Sequence, residues 1–267
     1  MNFSLPFTLA IAATCGLASA TVVNIDFNSS TGGTQVGQVI SPLLLADPGG
    51  ATAYWNPIYN VSGTAQSANL FDSTSGGTGA GTGLSFFLSG IESGQNQGGG
   101  EQDRTGAHNS LMRDYIRLDS GSNSAVNTLT GTFGGLVVGG TYDLYFYAQG
   151  NNFGGLAGSS DLRGQNSLIT VGASGKQTSW DGLAGGDGSL VEGIEYVKFT
   201  AIANGSGEIS FDWANVIPSI NGPDKDGIAS GSRFAGLNGI QLVSVVPEPS
   251  SLILGMIGAL GLIRRRR

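Results

Sequence analysis

The sequence predicts an all-β protein, an antiparallel β-sandwich with jelly-roll connections over residues 21–246. Three observations favour this fold. No stretch of the region places apolar residues at helical spacing over three turns. Short apolar segments with a period of two recur instead, separated by turns rich in Gly, Asn, Ser and Asp. These segments are widely spaced along the chain, which suits long Greek-key crossings better than tight hairpins.

The expected strands follow one another as short alternating segments. In the first, Val23–Phe27, the odd-numbered apolar residues share one face and Asn24 and Asp26 lie opposite. Trp213 falls on the apolar face of its own segment, which predicts a core position. The other clear segments are Leu84–Leu88, Met112–Leu118, Tyr142–Tyr147, Leu168–Val171, Tyr196–Ala203, Ile209–Trp213 and Ile240–Val246, with weaker ones at Val36–Leu45 and Thr128–Phe133.

Residues 1–20 have the form of a secretory signal peptide. An apolar run, Phe3–Gly16, precedes the small residues Ala18 and Ala20, which suit a cleavage site before Thr21. We therefore expect a signal helix, the secretion translocase as a partner, and a mature chain that begins at Thr21. The one cysteine, Cys15, would be removed with the signal, so the mature chain has no disulfide or thiol chemistry.

Residues 247–267 form a tail with three parts. The parts are a motif of Pro247, Glu248 and Pro249, an apolar run from Ser250 to Ile263, and four arginines, Arg264, Arg265, Arg266 and Arg267. A helix over the apolar run would be about 21 Å long, short of the ~30 Å hydrocarbon core of a bilayer. We expect this helix to be a transient inner-membrane anchor, with a permanent single-pass anchor as the alternative. The arginines should stay cytoplasmic.

This tail resembles the PEP-CTERM sorting signal of exported bacterial proteins, and also a segment labelled as the C-terminal domain of ice-binding proteins. The PEP-CTERM resemblance implies processing at the Pro-Glu-Pro motif by an exosortase-like membrane enzyme, and delivery to the cell envelope, outer surface or extracellular matrix. Three body segments are similar to segments that recur in proteins with this tail, which implies a galactose-binding-like or jelly-roll sandwich. They are Leu136–Gly150, Tyr196–Thr200 and Leu237–Leu242.

The charge of the body excludes one class of partner. Between residues 21 and 246 there are eighteen acidic and eight basic residues, a net charge of about −10. A surface of this sign repels phosphate backbones, so we expect no nucleic-acid partner.

Motifs for catalysis are absent from the sequence. His108 is the only histidine, and with no mature cysteine a zinc site or a Ser-His-Asp triad lacks its usual members. Two carboxylates could hydrolyse a glycan if they lay ~5–9 Å apart. Candidates are Glu101, Asp103, Asp114, Asp143 and Glu192. We expect no catalytic residues and no required cofactor.

Two kinds of binding site fit particular residues. Loop acids could hold a structural Ca²⁺, with candidates at Asp181, Asp187, Asp224 and Asp226. Aromatic rings could stack on a sugar, with candidates at Trp55, Tyr145, Tyr147 and Trp180, and with Tyr54 and Tyr59 close to Trp55. Packing of these rings beneath long loops is the competing interpretation. Thr128, Thr130 and Thr132 alternate on a single strand, which is a weak basis for an ice-binding face.

Together these patterns favour an exported, non-catalytic protein of the cell envelope or extracellular matrix, sorted by its tail. A carbohydrate-binding module acting on exopolysaccharide is the alternative, and a secreted glycan hydrolase is a lesser one. Exposed coplanar aromatics on a concave face would favour the module. Two carboxylates converging in a deep cleft would favour the hydrolase.

Overall fold

The computed structural model describes residues 20–28, 53–59, 62–75, 77–78, 80–96, 111–112, 114–122, 124–150, 166–179, 189–222 and 233–245. The elements assigned within these ranges are all strands, which confirms the all-β prediction. They are β1 (Val22–Asn28), β2 (Trp55–Tyr59), β3 (Gly63–Ser67), β4 (Ser85–Ile91), β5 (Ser93–Asn96), β6 (Asp114–Asp119), β7 (Thr128–Gly134), β8 (Thr141–Tyr147), β9 (Ser167–Val171), β10 (Ser174–Gln177), β11 (Tyr196–Ile202), β12 (Ile209–Asn215), β13 (Phe234–Leu237) and β14 (Gly239–Ser244).

The described strands form three sheets. The first has the order β11-β8-β14-β1-β2, and the second has the order β10-β9-β12-β7-β4-β3. The third is the short sheet β13-β6-β5. Neighbouring strands are antiparallel, as expected, except that β2 runs parallel to β1.

Eight of these strands have jelly-roll connectivity. When β1, β7, β8, β9, β10, β11, β12 and β14 are numbered one to eight, the first sheet contains the order 1-8-3-6 and the second contains 2-7-4-5. This arrangement is two Greek keys folded over one another. Six of the seven connections between these strands cross from one sheet to the other, which explains why the sequence shows few tight hairpins.

The core lies between the two large sheets. Phe146 of the first sheet and Phe211 of the second have ring centroids 4.8 Å apart, and Phe27 meets Phe86 across the same space at 5.8 Å. Gly131 faces this cluster without a side chain, because a Cβ there would overlap the Phe211 ring. The predicted inward faces of Val23–Phe27 and Ile209–Trp213 are confirmed.

The first sheet is covered on both faces over β1, β2 and part of β8. Asn24 and Asp26, opposite the core face of β1, are also fully buried. A second apolar cluster lies on that outer side and includes Leu111 and Met112. Met112 was expected within a strand, but β6 begins only at Asp114. An alternating pattern shows which residues share a face, but it does not show whether another segment covers that face.

Five short strands were not predicted from the sequence: β2, β3, β5, β10 and β13. They have four or five residues each, so they contain too few alternations for a clear pattern. The weaker strand expected at Val36–Leu45 lies outside the described residues, as do the signal helix and the tail helix. In the part of the chain that the structure describes, no helix is long and apolar enough to cross a membrane.

Candidate functional site

The aromatic residues expected to contact sugar are mostly inside the protein. Trp55 is 2 % exposed, Tyr145 6 % and Tyr147 0 %. Trp55 and Tyr147 pack against each other at 6.1 Å, within the cluster that covers the outer face of the first sheet. These three rings offer no open face for stacking, so the competing interpretation, packing beneath other segments, holds for them. Trp180 lies outside the described residues.

One edge of the sandwich, as far as the described strands show it, holds a cleft of about 690 Å³, which we call the β10–β11 cleft. Strands β11 and β10 are the last in their sheets at this edge. The lining residues are Leu168, Thr170, Gly175, Lys176, Gln177, Glu192, Gly193, Val197 and Asn221.

Three polar side chains of the β10–β11 cleft, those of Lys176, Glu192 and Asn221, are bound to other groups of the protein. Glu192 forms a β-bridge with Tyr196, the first residue of β11, and accepts a hydrogen bond from Lys176 Nζ of β10 at 2.8 Å, so it links the edges of both sheets. The hydrogen bond from Lys176 is the main cause of a lowered Glu192 pKa. Asn221 is also engaged, with its Nδ2 donating to Asn215 O and its Oδ1 accepting from the Ile217 N–H. These contacts hold the edge together.

The carboxylates considered for catalysis do not form a pair in the described region. Asp143 accepts hydrogen bonds from Lys198 and Thr200, and the bond to Asp143 is the main cause of the raised Lys198 pKa. Glu192 is bound to Lys176, and Asp114 is buried. Glu101, Asp103 and His108 lie outside the described residues.

Replacing Glu192 with Gln should lower the free energy of unfolding at pH 7 by no more than about 1 kcal/mol, because both partners are half exposed. The lowered pKa means that the folded state favours the carboxylate, so the stabilisation is present well above pH 4.5 and is lost as the pH falls below it. Urea denaturation at pH 7 and pH 3 measures this, with Glu208→Gln, at an exposed position, as the control. If the wild type still had a higher unfolding free energy than Glu192→Gln at pH 3, the stabilising role assigned to the Lys176–Glu192 ion pair would be contradicted.

The opposite edge of the sandwich holds a second cleft of about 470 Å³, which we call the β2–β3 cleft. Strands β2 and β3 are the last in their sheets at this edge. None of the described lining residues carries a carboxylate, ammonium or guanidinium group. They are Tyr54, Asn56, Pro57, Ile58, Thr64, Gln66, Ser67, Asn69 and Phe71.

One wall of the β2–β3 cleft is held by Asn56. Its Nδ2 donates to the backbone carbonyls of Asn24 and Phe71, both at 2.9 Å, and its Oδ1 accepts from the Phe71 N–H at 2.8 Å. The Phe71 ring then meets the half-buried Tyr54 ring edge to face, with centroids 5.9 Å apart. Gly77 has φ +72°, and a Cβ there would overlap the Tyr54 ring. Tyr54 therefore has a defined position beside the cleft.

Several polar side chains of the β2–β3 cleft remain available. Within the part of the chain that the structure describes, the side chains of Thr64, Gln66 and Ser67 make no hydrogen bond. Thr64 and Gln66 are also exposed. The Oδ1 atom of Asn69 accepts a hydrogen bond from the Gly83 N–H at 3.0 Å, and its Nδ2 donates no hydrogen bond to a described residue. The arrangement can therefore bind a ligand that has both donors and acceptors.

The other expected sites are only partly within the described structure. No group of three or more His, Cys, Asp or Glu side chains suited to a metal occurs among the described residues. The calcium candidates Asp181, Asp187, Asp224 and Asp226 lie outside them. So do Ala18, the Pro247–Pro249 motif and the four terminal arginines, whereas Ala20 is described and half exposed.

The threonines of β7 lie on the outer face of the second sheet. Thr130 donates to Asp212 at 2.7 Å, and the Thr132 and Ser210 hydroxyls are 3.2 Å apart. Neighbouring β12 therefore presents Ser210 and Asp212 on this face. The regular threonine array of an ice-binding face would have threonines at these positions.

Comparison with known proteins gives one match that concerns function. The profile of the PEP-CTERM protein-sorting motif matches residues 245–267. No curated protein matches the chain. Among solved structures, the enzymatically active domain of bacteriophage CBA120 tailspike protein 4 aligns over 60 % of this chain at 12 % identity, with a TM-score of 0.27. The chain spans 19 % of that protein's length, and the likeness is too weak to bear on function. The C-terminal tail thus matches the PEP-CTERM protein-sorting motif, as its resemblance implied.

Proposed function

We propose that this chain is an exported, non-catalytic protein of the cell envelope or extracellular matrix, delivered by its C-terminal tail. The observation that carries the proposal is the PEP-CTERM motif at residues 245–267. That motif supports export and processing by an exosortase, which is a membrane enzyme. A brief stay in the inner membrane through residues 250–263 is part of the proposal.

The geometry of the body supports processing at the motif. Strand β14 lies between β1 and β8, so it is held on both sides. Strand β14 ends at Ser244, and Pro247 lies three residues further along the sequence. Prolines cannot donate the hydrogen bonds that would extend a central strand. Cleavage at the motif would therefore leave the sandwich unchanged.

The expected mature N-terminus lies at the same end of β14. The Thr21 N–H donates to Ser244 Oγ at 2.6 Å, and the Ser244 N–H donates to Thr21 O at 2.8 Å. Thr21 and Ser244, which lie close in the sequence to the two expected processing points, are thus hydrogen-bonded to each other at one corner of the body. Removal of both segments would leave the described hydrogen bonds of this corner in place.

Changing Glu248 to Ala tests the sorting proposal. We expect export and folding of residues 21–246 to be retained and the tail to stay uncut, because the last described strand, β14, ends at Ser244, before the motif in the sequence. The measurement is cell fractionation with mass analysis of the C-terminus, in a host that has an exosortase. Intact tails on the mature wild-type protein would contradict cleavage and would favour a permanent short anchor.

Changing the four arginines, Arg264 to Arg267, to Ser tests their role separately from that of the Pro-Glu-Pro motif. Their expected role is to keep the C-terminus on the cytoplasmic side of the membrane. Without their charge the C-terminus should no longer be retained on the cytoplasmic side, so unprocessed protein should reach the outside. The same fractionation measures this variant. If the variant were processed and located like the wild type, the arginines would not be what keeps the C-terminus on the cytoplasmic side.

The second candidate function is carbohydrate binding to exopolysaccharide. The observation that favours it is the β2–β3 cleft, which combines an aromatic ring with uncharged, available polar groups. A glycan hydrolase has less support, because Asp143 and Glu192 each form an ion pair with a lysine.

A further inference from the structure

We propose that the β2–β3 cleft binds a short stretch of a neutral glycan. Tyr54 provides the ring on which a sugar packs, and Thr64, Gln66 and Asn69 bind its hydroxyl groups. This assignment rests on the second candidate function above and gives it a site, a ligand class and named contacts. It replaces the buried rings of Trp55, Tyr145 and Tyr147 as the sugar-contacting surface.

The size and charge of the cleft indicate the ligand class. A volume of about 470 Å³ is within the range of small-molecule sites. The described lining has no ionised group, and the body has an excess of acidic residues. An acidic polysaccharide would meet repulsion from this body with no local cation to offset it, whereas a neutral one would not.

The cleft is organised before any ligand arrives. Asn56 holds the Phe71 backbone against β2 through three hydrogen bonds. Phe71 and the close approach of Gly77 then position the Tyr54 ring. A ring held in this way loses little conformational freedom on binding, which favours affinity.

The available polar groups match the chemistry of sugars. Each sugar hydroxyl both donates and accepts, and so do the hydroxyl of Thr64 and the amide of Gln66. In the larger β10–β11 cleft, by contrast, Lys176 and Glu192 are bound to each other. A ligand there would compete with this ion pair for the same charged groups, whereas Thr64 and Gln66 of the smaller cleft have no such partner among the described residues.

The test is isothermal titration of the exported protein with cellotetraose, maltotetraose and mannotetraose, and with tetragalacturonate as the acidic probe. We expect at least one neutral probe to bind with a dissociation constant of about 1 mM or lower. Gln66→Ala should weaken binding about three- to tenfold through the loss of one hydrogen bond. Tyr54→Ala should weaken it by more than about tenfold, and Tyr54→Phe should retain it, because the ring provides the contact.

Lys176→Ala is the matched control, since Lys176 and Gln66 are both exposed on edge strands that border a cleft. It should leave binding unchanged. Gln66→Ala alters an exposed side chain, so it tests the site even if Tyr54→Ala fails to fold.

Three outcomes would contradict the proposal. Binding that is lost in Lys176→Ala and kept in Gln66→Ala would place the glycan in the β10–β11 cleft. Preference for tetragalacturonate would overturn the neutral class. No binding to any neutral probe would overturn the site and the carbohydrate-binding function together, without affecting the sorting proposal.

Discussion

Replacing Trp213 with Ala is expected to lower the free energy of unfolding by about 3–5 kcal/mol, the usual loss for a buried Trp. The Trp213 side chain is fully buried between the large sheets. Its Nε1 donates to Ser167 Oγ at 2.8 Å, and that hydroxyl donates to Gly236 O at 2.6 Å. The substitution would leave a cavity and break a chain of buried hydrogen bonds. Urea denaturation measures the loss.

Phe87→Ala is the matched control for this prediction. Phe87 is a large aromatic residue of the same sheet, but its side chain is 47 % exposed on the outer face. Its removal should change the unfolding free energy by only about 0.5 kcal/mol. Equal losses for the two variants would show that the inward face assigned to β12 is wrong.

Replacing Asn238 with Ala should lower the unfolding free energy by about 3 kcal/mol or more, because each buried polar group left without a partner costs ~1–3 kcal/mol. Asn238 is fully buried between β13 and β14. Its Oδ1 accepts from the Gln149 N–H at 2.7 Å, and its Nδ2 donates to the backbone carbonyls of Asp114 and Met112. The side chain therefore joins the end of β8 to the start of β6. Thermal and urea denaturation both report the loss.

Asn204→Ala provides the comparison, because its Oδ1 also accepts backbone hydrogen bonds, from Ser206 and Glu208, both at 2.9 Å. Asn204 is exposed in the turn between β11 and β12, so water can replace these bonds. We expect a loss of about 1 kcal/mol or less. If Asn238→Ala were no more harmful than Asn204→Ala, the role assigned to the buried network would be contradicted.

The sequence predicts only part of the β2–β3 cleft. The aromatic group around residue 54 is visible in the sequence, where Trp55 is one of four candidates for sugar contact, with Tyr54 close to it. The structure buries Trp55 and leaves its neighbour Tyr54 beside the cleft. Strand β2 has only five residues, so no alternating pattern could show which of the two faces outwards. Gln66 and Thr64 carried no signal, because β3 is polar at most positions.

The sequence by itself determined the strand-rich fold class, the inward faces of β1 and β12, and the three-part tail that matches the PEP-CTERM motif. These features depend on local patterns, namely a period of two or the order of residues in a short segment. Only the tertiary structure decided that Asn24, Asp26, Tyr145 and Tyr147 are buried, and that the clefts lie at two edges of the described sandwich. The reason is that coverage of a sheet face, and the identity of its edge strands, depend on which distant segments pair and pack together.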